Sequence, residues 1–170
     1  MITAIITTLN DEARLAATLS ALAPAAIDSF VREVIVADGG SSDGTLALAE
    51  ESGARIVAGR RDKVVAEASA LARQPWLLIL PAGARLQLGW EAAVRGHIRR
   101  HPAAGGWFRL NVAEPGVGAR LDEVMADLSA RWLGRLRPEQ GLLISARQFG
   151  ASRTPSYRLG ARILIGADVL

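Results

Sequence analysis

The fold of this chain is decided by two stretches, ITAIITTLND at residues 2–11 and VREVIVADGGSSDGT at residues 31–45. In each, a β-branched apolar run stops at polar or turn-forming residues, and apolar residues at helical spacing follow. Strands and helices that alternate in this way form a parallel sheet with right-handed crossover connections. We therefore predict an α/β fold with a mostly parallel central sheet flanked by helices.

The same patterns predict the remaining elements of the chain. Strands are expected at Ile2–Thr8, Val31–Asp38, Ala54–Ala58, Trp76–Leu80, Gly106–Val112 and Leu142–Ser145. Helices are expected at Glu12–Leu22, Thr45–Ser52, Lys63–Arg73, Gly89–His101 and, as a long amphipathic helix, Ala119–Leu136. The residues that follow Gly150 are typical of a loop, and an apolar segment, Ile163–Leu170, ends the chain.

Composition places the chain among globular proteins. Of its 170 residues, 50% are hydrophobic and 22% are charged, which suits a single domain with a sizeable core. No apolar run approaches the roughly 20 residues that span a bilayer, and the N-terminus lacks the pattern of a signal peptide. Because the sequence has no cysteine, disulfides and thiolate metal sites are excluded. These observations predict a cytoplasmic protein without a transmembrane segment.

The charge pattern argues against nucleic acid as a partner. The net charge is +3, and Lys63 is the one lysine among many arginines, a bias typical of GC-rich bacterial genomes. The basic residues are spread along the chain, and aromatic residues make up only 5% of it. A nucleic-acid-binding domain would instead gather its bases on one face.

Ligands of a parallel α/β sheet bind beyond the carboxyl ends of its strands, and two such ends are rich in polar residues. The first is Thr7–Glu12 and the second is Asp38–Thr45. Small residues in the second loop would let a ligand approach the backbone, and an exposed Asp38 could accept hydrogen bonds from it. Asp43, in contrast, is expected to cap the following helix.

These motifs resemble the start of a family 2 glycosyltransferase with the GT-A fold. The resemblance rests on ITTLNDEARLAATLSAL and EVIVADGGSSDGTLALAEESGARIV, and it continues with weaker similarity to about residue 149. It implies one GT-A-like domain over residues 1–170, with a nucleotide-binding half at 1–104 and a shortened acceptor-side half at 105–170. The pattern of the family usually continues beyond the point where this chain ends.

The resemblance implies a site for a nucleotide sugar of the uridine or guanosine diphosphate type. The residues it places around the nucleotide are Thr7, Thr8, Leu9, Asp11 and Asp38, with Asp38 on the base. Basic residues after the third strand usually face the base or the diphosphate, which implicates Arg60, Arg61 and Lys63. The alternative for these three is a solvated surface turn.

The sequence departs from the family at the metal site. Members carry an acidic motif after the fourth strand that holds Mn²⁺ or Mg²⁺ on the diphosphate, because hard divalent ions need oxygen ligands. This chain reads LPAGAR at residues 80–85, and Gly83 stands at the position of the metal-binding aspartate. The carboxylate ligands that the resemblance implies for Mn²⁺ or Mg²⁺ are therefore lost from this motif. Val64, Val65 and Ala66 also replace the glutamine and asparagine of the subgroup.

The catalytic base of the family is a carboxylate near the end of the domain, which deprotonates the acceptor hydroxyl in an inverting displacement. The nearest match is Asp168, either a remnant of that base or an ordinary polar residue of a terminal segment. Upstream, Glu139 stands where the Gly-Asp-Gln-Gly motif of the family has aspartate.

Two hypotheses remain from the sequence. The first is a glycosyltransferase that works without a bound metal, with Arg85 and either Arg60, Arg61 or Lys63 holding the diphosphate. The second is a catalytically inactive GT-A-fold protein that binds a nucleotide or a protein partner. The apolar composition further predicts a surface covered by a second copy or by a partner protein.

Other enzyme classes are excluded by missing motifs. A nucleotidyltransferase would have a glycine-rich loop after the first strand, and a dinucleotide-binding domain would have G-x-G-x-x-G there. A serine hydrolase would have a G-x-S-x-G elbow. The two histidines, His97 and His101, lie beside arginines in a predicted helix and are expected on the solvated surface.

Overall fold

Strands and helices alternate along the part of the chain that the computed structural model describes, residues 1–112, 141–150 and 156–165. The strands are β1 (Ile2–Thr8), β2 (Val31–Asp38), β3 (Arg55–Ala58), β4 (Trp76–Pro81), β5 (Arg85–Leu86), β6 (Gly105–Val112), β7 (Leu142–Ser145) and β8 (Ser156–Ile165). The helices are α1 (Glu12–Ile27), α2 (Thr45–Glu51), α3 (Val64–Leu71) and α4 (Trp90–Arg100). None of these helices is long and apolar enough to cross a membrane.

The strands form one sheet in the order β3-β2-β1-β4-β7-β6-β8-β5. Four pairs of neighbouring strands are parallel: β3/β2, β2/β1, β1/β4 and β6/β8. Three pairs are antiparallel: β4/β7, β7/β6 and β8/β5. The predicted α/β class with a mostly parallel sheet is confirmed. In the register of β1, Thr8 lies opposite Asp38 and Thr7 lies opposite Pro81, so three strands end at one edge.

Two apolar layers hold the sheet between its helices. On one face, Ile6 of β1 and Leu15 of α1 belong to a single buried cluster. On the other face, Ile5 of β1 packs in a cluster with Val64 and Ala68 of α3. Burial on both faces explains why β1 reads as a nearly continuous apolar run. Each fully buried side chain of this size stabilises the fold by about 1.5–3 kcal/mol.

The ends of the helices follow from local chemistry and from packing. Helix α1 runs past Pro24 to Ile27, further than predicted, because Ala25 is buried in the core and holds the last turn against it. Helix α2 stops as predicted at Gly53, whose φ of 73° suits glycine. The amides of Gly53 and Ala54 then donate to carbonyls in the last turn of α2.

The C-terminal part differs from the prediction in two places. The stretch predicted as a loop after Gly150 contains β8, which begins at Ser156 and pairs in parallel with β6. The sequence analysis also missed β5, where Arg85 pairs with Leu164 of β8. Both strands are held by distant partners, and local sequence patterns do not report such pairing. The predicted helix over residues 119–136 lies outside the described residues.

The prediction of two surface histidines is wrong for His97. This side chain is 3% exposed, and its Nε2 donates a hydrogen bond to the carbonyl of Ala104 at 3.0 Å. Its ring meets Trp76 edge-on, and the ring of His101 stacks on Tyr157. Burial lowers the pKa of His97, the hydrogen bond to Ala104 opposes the shift, and the nearby positive charge of Arg100 adds to it.

Candidate functional site

A cleft of about 370 Å³ opens at the edge where β1, β2 and β4 end. One wall comes from the loop after β1, which contributes Thr7, Thr8, Leu9 and Asp11. The opposite wall comes from Arg61 and from the first two residues of α3, Val64 and Val65. Ala37, Gly39, Pro81 and Ala82 line the strand ends, and Arg14 reaches the cleft from α1. This is the place where ligands of parallel α/β sheets bind.

The loops after β1 and β2 are held together by hydrogen bonds. The amide of Asn10 donates to the Ser41 hydroxyl at 2.8 Å, and the amide of Ser42 donates to Oδ1 of Asn10 at 2.8 Å. The amide of Asp11 donates to Oγ1 of Thr45 at 2.9 Å. Asn10 adopts a φ of 56°, a conformation that asparagine tolerates better than most residues. The two polar loops therefore form one unit beside the cleft.

Asp38 lies beneath this unit and does not reach the solvent. Its exposed fraction is 0%, and its carboxylate accepts bonds from the Thr8 hydroxyl at 2.9 Å and the Gly40 and Ser41 amides at 2.9 and 2.8 Å. Burial raises the pKa of Asp38, but these bonds and one from the Ser41 hydroxyl outweigh it, so the pKa is lowered. The expectation of an exposed carboxylate is wrong, and a contact between Asp38 and a base stays a prediction.

Asp43 is not the N-cap of α2, which is Gly44, but its carboxylate does bond the first turn of that helix. Its Oδ1 accepts a hydrogen bond from the amide of Thr45, the first residue of α2, at 3.1 Å. Its Oδ2 accepts the amide of Glu12 at 3.4 Å. The hydrogen bond from the Thr45 hydroxyl is the main cause of a lowered pKa at Asp43. Asp43 thus satisfies amides at the starts of α1 and α2.

Asp11 and Arg14 form an ion pair in the wall of the cleft. Oδ1 of Asp11 lies 3.1 Å from Nη1 of Arg14, and Oδ2 accepts the amide of Leu9 at 2.9 Å. The carbonyl of Arg14 accepts the amide of Gly83 at 3.0 Å, which ties α1 to the turn after β4. Arg14 was not among the predicted site residues, yet it lines the cleft. Its spacing of three residues from Asp11 at the start of a helix was the available signal.

The structure separates the basic residues that the sequence analysis grouped together. Arg61 lines the cleft, where its stem packs over Gly39. Arg60 is not among the lining residues, its side chain is 76% exposed, and its Nε lies 3.1 Å from Oδ1 of Asp62. Lys63 is exposed at the start of α3, outside the lining of the cleft. Arg85 is exposed on β5, where the backbone pairs with β8, and it too lies outside the lining.

The turn after β4 does not fit a divalent metal ion. Ala82 and Ala84 are buried, and between them Gly83 has a φ of 89°, which side chains rarely adopt. Among the described residues, Asp11 is the one carboxylate that lines the cleft, and it is paired with Arg14. The same residues contain no cluster of three metal-ligating side chains. The oxygen ligands that such an ion needs are therefore missing from this turn.

The backbone polar groups at the strand ends are used within the protein. The carbonyl of Thr7 accepts the amide of Ala82 at 3.0 Å, and the carbonyl of Thr8 accepts the amide of Gly39 at 2.9 Å. The hydroxyl of Thr7, on the same face as Arg61 and α3, has no hydrogen-bond partner among the described residues. A ligand at this edge would therefore meet the hydroxyl of Thr7 and the side chains of Arg14 and Arg61.

Two predicted residues cannot be placed by the structure. Asp168, the candidate base, lies outside the described residues, and so does Glu139. Of the remaining predicted site residues, the structure brings together Thr7, Thr8, Leu9, Asp11 and Arg61 at the cleft.

Known proteins resemble this chain in two ways, in the sequence of its first half and in its fold. Residues 3–80 match the family model described as glycosyl transferase family 2. No curated protein matches the chain in sequence. The chain is similar in structure to glucosyl-3-phosphoglycerate synthase from Mycobacterium tuberculosis in complex with Mn²⁺, uridine diphosphate and phosphoglyceric acid, with 19% identity and a TM-score of 0.63. The match covers 86% of this chain and 56% of that chain.

A second structure of the same enzyme, in complex with Mn²⁺ and uridine diphosphate glucose, matches with 20% identity and a TM-score of 0.63. It likewise covers 86% of this chain and 56% of that chain, so this chain spans little more than half the length of the synthase. The predicted GT-A fold and the resemblance to family 2 glycosyltransferases are confirmed.

Proposed function

We propose that this chain, a family 2 glycosyltransferase-like protein, binds a nucleoside diphosphate sugar in the cleft and transfers the sugar to an acceptor. The observation that carries the proposal is the cleft itself, built at the ends of β1, β2 and β4 from the loops that resemble the family. Nearly all of its lining lies within residues 3–80, the range that matches the family model.

The walls of the cleft complement the parts of such a ligand. Leu9, Val64 and Val65 offer apolar contacts to a flat base. The guanidinium of Arg61 offers a fork of donors to a diphosphate, which it can bind in bidentate geometry. The hydroxyl of Thr7 is available to a ribose hydroxyl. The ligand chemistry of the synthase structures, uridine diphosphate and its glucose conjugate, supports a uridine diphosphate sugar as the first ligand to test.

The two halves of the chain would bind different substrates, the nucleotide sugar and the acceptor. The described residues that line the cleft all fall between Thr7 and Ala82, within residues 1–104, the range predicted to bind the nucleotide. We assign the acceptor side to residues 105–170. The cytoplasmic location and the pairing with a second copy or a partner protein stay predictions.

A second candidate is a protein that binds the nucleotide sugar without transferring the sugar. The two described carboxylates at the cleft, Asp11 and Asp38, favour this candidate. Deprotonation of an acceptor hydroxyl needs a base within reach of it. Asp38 is buried and Asp11 is paired with Arg14, so neither is available as that base. Asp168 is the predicted base of the first candidate.

Calorimetric titration of the purified protein with uridine diphosphate, guanosine diphosphate and their glucose conjugates tests the binding. A Gly39→Leu variant would push a side chain between the Thr8 carbonyl and Arg61, since a Cβ at Gly39 lies 3.4 and 3.6 Å from Thr8 O and Arg61 Cβ. We expect binding to wild type and its loss in this variant. Gly160→Leu is the matched control, because a Cβ there meets nothing within 4 Å.

Failure of every nucleotide to bind wild type would overturn the proposed function. Release of uridine diphosphate from its glucose conjugate in the presence of candidate acceptors then separates the two candidates. Turnover that disappears in Asp168→Asn, with binding retained, supports the transferase. Binding without turnover supports the second candidate.

A further inference from the structure

Asp11 in the lining of the cleft and Asp38 beneath it both already have partners within the protein. Asp38 is buried and accepts hydrogen bonds from Thr8, Gly40 and Ser41. Asp11 accepts the amide of Leu9 and pairs with Arg14. A divalent ion would have to displace these partners to gain an oxygen ligand. The displaced amides and guanidinium would then need new acceptors, which makes the exchange unfavourable.

The turn after β4 has a backbone conformation at Gly83 that suits glycine. Gly83 is buried, its φ is 89°, and its amide donates to the carbonyl of Arg14 at 3.0 Å. Any side chain at this φ carries a strain that glycine avoids, so the backbone of the turn favours glycine over aspartate. The loss of the acidic motif is therefore accompanied by a turn geometry that only glycine adopts easily.

Positive charge lines the cleft instead. Arg14 and Arg61 contribute two guanidinium groups and Asp11 one carboxylate, so the lining side chains carry a net positive charge. Arg61 makes no ion pair or hydrogen bond with another residue of the described ranges, and its head is available to a ligand. Such a lining attracts a diphosphate and repels a free divalent cation.

We infer that this cleft binds the diphosphate of its nucleotide through the guanidinium of Arg61, supported by Arg14, and without a divalent metal ion. The inference rests on the proposed function, because it concerns how the same nucleotide is held. Guanidinium groups can take the place of a metal here because they bind phosphate oxygens in bidentate geometry and remain charged at every accessible pH.

The experiment is a calorimetric titration of uridine diphosphate into the whole chain, first in EDTA and then with Mn²⁺. We expect binding in EDTA with a Kd within about threefold of the value in Mn²⁺. Arg61→Gln should weaken the binding by about tenfold or more, as loss of a charge-assisted hydrogen bond does. Arg60→Gln is the matched control and should leave the Kd unchanged, because Arg60 is not among the lining residues of the cleft and pairs with Asp62.

Uridine monophosphate gives a second readout. Its affinity should respond less to Arg61→Gln than that of the diphosphate, if Arg61 contacts the outer phosphate. Thermal unfolding of each variant checks that the fold is retained, and Arg61→Lys shows how much of the effect needs the fork of donors rather than the charge.

The outcomes separate the inference from the proposed function. Binding only in the presence of Mn²⁺ would overturn the inference and leave the proposed function standing. Binding in EDTA that Arg61→Gln and Arg60→Gln weaken equally would overturn the assignment to Arg61. No binding under either condition would overturn both.

Discussion

Thr8 and Asp38 face each other across the parallel pair of β1 and β2, and the Thr8 hydroxyl donates to Oδ1 of Asp38 at 2.9 Å. The same carboxylate accepts the amides of Gly40 and Ser41, and the Ser41 hydroxyl accepts the amide of Asn10. One buried carboxylate thus joins both loops beside the cleft. A buried charge persists when hydrogen bonds replace the water it has lost.

Asp38→Asn should destabilise the protein by about 1.5–3 kcal/mol, the range for hydrogen bonds to a charged group. An amide carries no charge, and its NH₂ group would face amide donors that need an acceptor. The free energy of unfolding in urea measures the effect. Asp28→Asn, at an exposed position after α1, is the control and should change stability little. A change at Asp38 as small as that of the control would contradict the role assigned to it.

Stability should also fall in acid because the pKa of Asp38 in the folded protein lies below its ordinary value of 3.8. The unfolded chain therefore binds more protons than the folded one between these two values. The stabilising contribution is complete above the ordinary pKa and is lost as the pH falls through the folded pKa. Urea unfolding of wild type and Asp38→Asn from about pH 6 to pH 3 tests this expectation. Parallel curves would contradict it.

His97 predicts a second pH dependence at a higher pH. Its pKa in the folded protein lies below the ordinary value of 6.5, mainly because the ring is buried. Stability should therefore be complete above about pH 6.5 and decline as the pH falls through that value to the folded pKa. We expect the Tm of wild type to drop between pH 7 and pH 5, and the drop to be smaller in His97→Gln. If His101→Gln reduced the drop in Tm between pH 7 and pH 5 as much as His97→Gln does, His97 would not be the source of the pH dependence.

Gly83→Asp introduces the residue type that the resemblance to family 2 glycosyltransferases implies for a metal site, yet we do not expect it to create metal binding. Because Gly83 is buried and has a φ of 89°, we expect a loss of about 1–3 kcal/mol in the free energy of unfolding. Gly160→Asp is the matched control at an exposed position where the added Cβ meets nothing within 4 Å. A rise in Tm on addition of Mn²⁺ to Gly83→Asp alone would contradict the prediction.

Local patterns predicted the half of the chain that builds the cleft. The strands β1 and β2 have the predicted bounds because both are apolar runs that stop at polar turns. The loop Thr7–Glu12 could be assigned to the ligand-binding edge since the ends of neighbouring parallel strands meet there. Within this loop, the resemblance to family 2 glycosyltransferases implied Thr7, Leu9 and Asp11. The role of Asp43 was also accessible, because an aspartate two residues before a helix satisfies its first amides locally.

Other features depend on partners that are distant in the chain. Arg60 and Arg61 are adjacent in sequence, and only the turn before α3 decides that one pairs with Asp62 while the other faces the cleft. His97 is buried because α4 packs in a layer with Trp76 and Tyr157, which come from β4 and β8. No short pattern reports either arrangement.

The alternation of strands and helices, the two polar loops and the lack of an acidic motif after β4 can all be read from the order of the residues alone. These depend on the order and spacing of residue types, which act through local backbone preference and burial of one face. Only the folded structure shows which of the charged groups have partners. The carboxylate of Asp38 is fully hydrogen-bonded and Asp11 is paired with Arg14, whereas Arg61 lines the cleft. The physical reason is that the availability of a charge depends on hydrogen-bond partners brought together from distant parts of the chain.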